Sequence, residues 1–167
     1  MLKGFFFIFF SVLSFFTEPG VINELRVNMG KDWSEQELEY CYDKLSEESD
    51  EPVNLAYLGV VEFMLSKNAS FPIKKFKYFN KGKEHINDAI LKDTKDIELR
   101  YLRFLFQTEI PKFLGYHDNK EEDLNIFIKY FHTSSIDMEF KNVMLSRLKS
   151  LTNLSEQELN SLNQINS

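Results

Sequence analysis

Apolar residues recur every three to four positions from residue 21 to residue 162, and no stretch alternates between apolar and polar as a strand does. This spacing places the apolar side chains of each segment on one face of an α-helix. Breaks at turn residues divide the pattern into six or seven segments. The sequence therefore predicts an all-α fold, a bundle or short solenoid of antiparallel helix pairs.

Several segment starts carry helix-capping signals. Ser34 is followed three residues later by Glu37, and Ser155 by Glu158, which is the spacing of a capping box. Pro72 suits a first helical turn, and Asp96 suits an N-cap. We expect further helix starts near Pro52, near residue 120 and near residues 134–135. The segment from Asp96 is apolar on almost every side, so we expect it to be the most enclosed helix. Among the apolar stripes we expect to be buried are Ile73 and Phe76 in the third segment and Val143 in the sixth.

The amino terminus has the pattern of an export signal. Lys3 precedes an apolar run of thirteen residues that ends at Phe16, and Thr17-Glu18-Pro19-Gly20 follows it. The run is shorter than the ~20 residues that span a bilayer, and the basic start fits a secretory leader. Residues 1–16 are therefore predicted to be a signal peptide or an uncleaved membrane-associated leader. Residues 17–32 then form a linker or short helix, 33–162 one helical domain, and 163–167 a frayed tail.

Size and charge restrict the functional class. The chain has 167 residues, 43% of them apolar, which is enough for one hydrophobic core without disulfides. Its net charge of −6 disfavours nucleic-acid binding, which depends on neutralising phosphates. Cys41 is the only cysteine, so no disulfide forms within the chain and no thiolate metal cluster is available.

Two neighbouring segments have a loose family resemblance. Leu58-Gly59, the helix end at 89–93 and the helix start at 96–100 together resemble a diverged tetratricopeptide unit and the beginning of the next one. The resemblance covers at most residues 52–108. The sequence departs from the family at Gly82, where alanine is preferred, and at Thr94, where proline is usual.

Taken whole, the chain also resembles small, uncharacterised, exported helical proteins of flavobacteria-like bacteria (Bacteroidota). The tetratricopeptide resemblance implies a scaffold that binds proteins or peptides in a groove. We therefore expect a non-catalytic interaction module in the periplasm or cell envelope, with a protein or peptide partner and no cofactor. Membrane association is expected only through an uncleaved leader.

The first candidate contact surface is a polar stripe on the otherwise apolar fourth segment. Arg100, Arg103 and Gln107 share one helix face, and Tyr101 lies beside them. Arginine presents a planar fork that fits carboxylates, so its place on a core helix requires an anionic group. That group is either an acid of the same chain, with Glu62, Glu98 and Glu109 as candidates, or the carboxylate or phosphate of a bound partner.

The second candidate surface is basic. Lys74, Lys77 and Lys81 share one stripe of the third segment, opposite Phe76 and Phe79. Such a stripe fits an acidic partner, a polyanion or anionic lipid headgroups, and it is equally typical of the solvated side of an amphipathic helix.

The alternative function is small-molecule or metal binding, with or without catalysis. Its candidates are His117 and distant carboxylates, since His85, His117 and His132 lack the paired spacing of zinc motifs. No nucleophile motif and no glycine-rich phosphate loop occurs in the sequence. The sequence therefore predicts neither a catalytic residue nor a resident metal.

Overall fold

The computed structural model describes residues 20–165, and these residues are all-helical, as predicted. Eight α-helices follow one another, and a short 3₁₀ turn lies between the fifth and the sixth. The helices are α1 (Val21–Asn28), α2 (Glu35–Glu47), α3 (Pro52–Asn68), α4 (Pro72–Lys92), α5 (Ile97–Glu109), α6 (Lys120–Tyr130), α7 (Met138–Lys149) and α8 (Glu156–Asn163). The count is one or two higher than predicted, because α1 is a helix in its own right and packs Leu25 into the core.

The predicted capping signals operate at three helix starts. Both capping boxes form, with Ser34 and Glu37 at α2 and with Ser155 and Glu158 at α8. The Asp96 carboxylate accepts hydrogen bonds from two backbone N–H groups at the start of α5. The prediction of a helix start near residues 134–135 is wrong: α7 begins at Met138, because the Asp137 side chain caps it by accepting from the backbone of Phe140.

The core is built around α3, α4 and α5. The most extensive helix contact is between α3 and α4. Along this contact the Ser66 hydroxyl donates to the carbonyl of Lys75, and the rings of Phe63 and Phe79 lie 5.6 Å apart. Eleven of the thirteen residues of α5 are buried, which confirms the prediction that this helix is enclosed on nearly every side.

Four side chains differ from their predicted burial. Ile73 and Phe76 were expected in the core and are exposed, because they lie on the side of α4 turned away from the buried Gly82 and Ile86. Val143 on α7 is also exposed. Ile165 lies in the predicted frayed tail but is buried, and its N–H donates to the carbonyl of Leu162.

The predicted leader, residues 1–16, lies outside the described residues. Within residues 20–165, none of the helices combines the length and the apolar content that crossing a membrane requires.

Candidate functional site

The two arginines of α5 converge on one buried carboxylate. Arg103 donates from Nε to Oδ2 of Asp123 at 2.7 Å and from Nη2 to Oδ1 at 2.8 Å, which is a bidentate pair. Arg100 donates from Nη1 to the same Oδ1 at 2.8 Å. Asp123 is fully buried, and both guanidinium groups are nearly so. Burial opposes protonation of Arg103, but the hydrogen bonds and charge of Asp123 raise its pKa above the usual value for arginine.

The expectation of an internal partner is met, but the predicted acids are wrong. Asp123 and the half-exposed Glu122, both on α6, pair with the arginines. Glu98 instead pairs with Arg26 of α1 at 2.6 Å. Glu62 instead contacts His85 of α4. The acid that completes a buried pair is set by helix packing, which brings α6 against α5.

The other two residues of the polar stripe are also interior. Tyr101 is fully buried, and its hydroxyl accepts a hydrogen bond from Arg147 of α7 at 3.0 Å. Gln107 is 1% exposed. The binding role predicted for Arg100, Arg103, Tyr101 and Gln107 stays a prediction, and in the structure both guanidinium groups hold α5 to α6.

Two of the three lysines in the predicted basic stripe contact α2. Lys74 lies 3.3 Å from the Glu35 carboxylate and 5.7 Å from the centre of the Tyr78 ring. Lys81 donates to the hydroxyl of Tyr42 at 3.3 Å. Lys77 is exposed and is in no ion pair with any described residue. The stripe is therefore divided between α2 and solvent.

Next to Lys77 the structure exposes apolar side chains that sequence reasoning placed in the core. We call Phe71, Ile73, Lys75, Phe76 and Lys77 the basic–apolar surface. Ile73 is 86% exposed, and Phe71 and Phe76 are more than half exposed. A signal for this was present: at ~100° per residue, Ile73 lies ~120° round α4 from the buried Phe79, and Phe76 lies ~60° from it on the same side.

A second surface lies along the seam between α1 and α2. Tyr40 of α2 is 52% exposed and stands between two hollows. One hollow, of about 310 Å³, is lined on the other side by Glu24 and Trp33. The other, of about 320 Å³, is lined by Ile22 and Lys44. We call this surface the Tyr40 seam. The sequence drew attention to Ser34 and Glu37 as a capping box and to Cys41 as the single cysteine, but not to Tyr40.

The Tyr40 seam is acidic. Eight carboxylates and one lysine lie between residues 35 and 51, on α2 and the turn after it. Glu24 and Glu37 face one hollow, and Glu48 faces the other. The charge of the hollows therefore favours a cationic group.

A buried acid–base pair joins α3 to α4. Glu62 is fully buried, and its Oε2 lies 2.7 Å from Nδ1 of His85. The Lys81 ammonium is 4.0 Å from the other oxygen, Oε1. The hydrogen bond to Glu62 raises the pKa of His85 against the opposing effect of burial. His85 therefore holds its proton to a higher pH than an exposed histidine does.

Three residues near the end of α5 form a polar interior region. Nδ1 of His117 lies 2.8 Å from the backbone carbonyl of Gln107, so Nδ1 carries a proton and donates to this carbonyl. No described group bonds to Nε2 of His117, to either side-chain amide atom of Gln107, or to the hydroxyl of Tyr116. Burial raises the pKa of Tyr116, so its phenol stays protonated. Within residues 20–165, no group of three or more histidine, cysteine, aspartate or glutamate side chains could hold a metal ion.

Comparison with known proteins adds no family to these observations. No protein-family model, no curated protein and no solved structure matched the chain.

Proposed function

We propose that this chain is a non-catalytic helical module that binds a protein or peptide partner in the bacterial cell envelope. The observation that carries the proposal is the Tyr40 seam, where a half-exposed tyrosine separates two hollows. Tyrosine is enriched among the residues that dominate binding energy, since it offers a large rigid ring and a hydroxyl. The envelope location rests on the predicted leader.

The shape of the seam suits an extended segment. Each hollow, of about 310 or 320 Å³, has room for one large side chain and lies at the lower limit of pockets that bind whole small ligands, about 300 Å³. Two hollows on either side of one ring would receive two side chains of a peptide that crosses over Tyr40. Apolar walls from Ile22 and Trp33, combined with Glu24 and Glu37, favour a segment with both apolar and basic residues.

The arrangement of α3 and α4 supports an architecture of antiparallel helix pairs. Ser66 contacts Lys75, Phe63 contacts Phe79, and Glu62 contacts His85. Later residues of α4 therefore meet earlier residues of α3, as in an antiparallel pair. We propose that the chain is a short array of such pairs, similar to tetratricopeptide proteins, with its partner on the outer face of α2.

Site-specific cross-linking in the native host tests the proposal. A photoreactive phenylalanine analogue at Tyr40 is expected to cross-link one partner protein. The same analogue at Leu91, which is 75% exposed on α4, is the matched control and is expected to cross-link nothing in common with it. Tyr40→Ala should weaken retention of that partner by ~30-fold, the loss typical of a binding hot spot. Equal cross-linking at both positions would refute the proposal.

Small-molecule binding is the second candidate function, and the polar region around Gln107 favours it. The amide of Gln107, the hydroxyl of Tyr116 and Nε2 of His117 are buried polar atoms to which no described group bonds. These groups suit a small uncharged polar solute. Native mass spectrometry of the protein from its host should then show a retained small mass that is lost in Gln107→Leu, and a bare chain mass would remove this candidate. A stoichiometric transition metal in elemental analysis would point to a metal-binding form of it.

A further inference from the structure

The first two turns of α4 extend into solvent. Every residue from Phe71 to Lys77 is exposed, whereas Phe79, Gly82 and Ile86 further along the same helix are buried. The helix is anchored by its later turns and by the bond from the Ser66 hydroxyl to the carbonyl of Lys75. Its beginning therefore lies beside the end of α3, with its side chains projecting into solvent.

This projecting end is basic in an acidic protein. The segment from residue 69 to residue 83 contains five lysines and no acid, although the whole chain has a net charge of −6. Lys74 and Lys81 contact α2. Lys75 and Lys77 are exposed and form no ion pair with the residues the structure describes. Their charges are therefore free to meet an external anion.

The same end exposes apolar side chains in the geometry of an interfacial helix. Ile73, Phe76 and Lys77 are spaced i, i+3 and i+4, so they share the outward face, and Phe71 directly precedes the helix. Interfacial helices place such apolar groups ~5–10 Å into the boundary between headgroups and acyl chains. The flexible stem of Lys77 can follow them while its ammonium group reaches the phosphates. Lys75 lies on another side of the same turns and adds positive charge close to the membrane surface.

We propose that the basic–apolar surface docks on a membrane face that contains anionic phospholipid headgroups. A bilayer fits the observations better than an acidic protein, because the three apolar side chains project from a helix end, and a bilayer accepts projecting groups without a matching pocket. The proposal goes beyond partner binding at the Tyr40 seam and uses different residues. It adds a membrane contact made by the folded domain to the one predicted for the leader.

Tryptophan fluorescence in the full chain tests the proposal with a readout local to this surface. Ile73→Trp places the probe on the surface. Leu91→Trp is the matched control, since Leu91 is also exposed and lies 18 residues further along α4, five whole turns and ~27 Å away. The vesicles contain phosphatidylglycerol and phosphatidylcholine brominated on its acyl chains. Bromine is expected to quench the tryptophan at 73 and to leave the one at 91 unquenched, with Trp33 contributing equally to both.

The charge requirement is tested on the Ile73→Trp chain. Lys75→Gln with Lys77→Gln should raise the lipid concentration for half-maximal quenching by ~25-fold, about fivefold for each lysine near an anionic surface. Lys95→Gln with Lys129→Gln, two exposed lysines on other parts of the molecule, should change it by less than about twofold.

Equal quenching at 73 and 91, or equal quenching on purely neutral vesicles, would overturn the proposal. So would an unchanged lipid requirement after the Lys75 and Lys77 replacements. Cross-linking at Tyr40 reports on the proposed protein partner separately, so the two proposals fail or stand independently.

Discussion

Gly59 of α3 and Gly82 of α4 bring the two helix backbones together. A Cβ on Gly59 would lie 2.8 Å from the carbonyl oxygen of Gly82 and 2.8 Å from Cγ1 of Ile86. A Cβ on Gly82 would lie 2.8 Å from the carbonyl oxygen of Gly59. Carbon–oxygen contacts of this length are repulsive, and neither oxygen can move without its helix. The close approach of α3 and α4 therefore requires glycine on both sides.

Gly82→Ala should consequently destabilise the fold. In an open helix this replacement stabilises, because alanine restricts the unfolded chain. Here we expect a loss of ~1–3 kcal/mol, since the added methyl group forces apart a packed interface. Urea denaturation measures it. Gly30→Ala is the control, because a Cβ at Gly30 meets nothing within 4 Å. A Gly82→Ala protein at least as stable as the wild type would show that α3 and α4 do not pack at this distance.

Gly82 also shows where sequence reasoning reached its limit. The sequence identifies it as a departure from the tetratricopeptide pattern, but the reason lies in Gly59, 23 residues away. Helix starts were predictable because a cap such as Ser34 and Glu37 is formed by neighbours in the chain. The tertiary relation between Gly59 and Gly82 has no such local signal.

The candidate surfaces show the same difference between features set by neighbours in the chain and features set by tertiary packing. That Arg103 requires an anion could be predicted from its place on an apolar helix, but Asp123 could not be identified, because it depends on how α6 packs on α5. The exposure of Ile73 was missed for a different reason: at ~100° per residue it lies ~120° round α4 from Phe79, outside the stripe that packs in the core. Tyr40 carries no distinguishing pattern at all.

Asp123→Asn should be among the most damaging single replacements in this protein. It removes the charge that two nearly buried arginines share, and breaking a buried ion pair by removing one partner costs ~3–5 kcal/mol. Thermal and urea unfolding measure the loss. Glu122→Gln is the matched control on the adjacent residue. Its side chain is 54% exposed, so we expect a loss of less than ~1 kcal/mol.

Arg103→Glu distinguishes a structural role from a binding role for the same cluster. The new carboxylate would face Asp123, so we expect the far-ultraviolet helical signal to be lost at ordinary temperature. A variant that keeps the helical signal of the wild type and loses only a partner would assign Arg103 to binding instead.

Glu37 should titrate far below other glutamates. The Lys31 ammonium, 2.7 Å away, and the hydroxyl and backbone of Ser34 lower the pKa of Glu37 to about 2. Because its pKa in the folded state is lowered, Glu37 stabilises the fold above the ordinary glutamate pKa, and this contribution is lost as the pH falls towards 2. NMR titration of the side-chain carboxyl carbon measures the value.

Replacement of Lys31 separates the causes. Lys31→Met should raise the pKa of Glu37 while the capping box with Ser34 remains. Lys44→Met is the control. Lys44 lies on α2, as Glu37 does, but it pairs with Glu47, so its replacement should leave the pKa of Glu37 unchanged. An unaltered pKa in Lys31→Met would mean that capping alone lowers it.

The pair of His85 and Glu62 should make stability depend on pH in the opposite direction. The hydrogen bond to Glu62 raises the pKa of His85, burial and Lys81 oppose it, and Glu84 adds to it. Since the folded state holds this proton more tightly than the unfolded state, the stabilisation is complete below the unfolded pKa of about 6.5. It is lost as the pH rises through the higher pKa of the folded protein. Urea midpoints should therefore fall between pH 6 and the weakly alkaline range.

Removal of the imidazole identifies the source of this slope. His85→Gln should flatten the dependence on pH over that interval, because the side chain that gains the proton is gone. His132→Gln, at an exposed position after α6, should retain the slope of the wild type. If His85→Gln keeps the full dependence of stability on pH, the proton that stabilises the fold binds elsewhere. Lys81 would then be the positive partner of the fully buried Glu62 carboxylate.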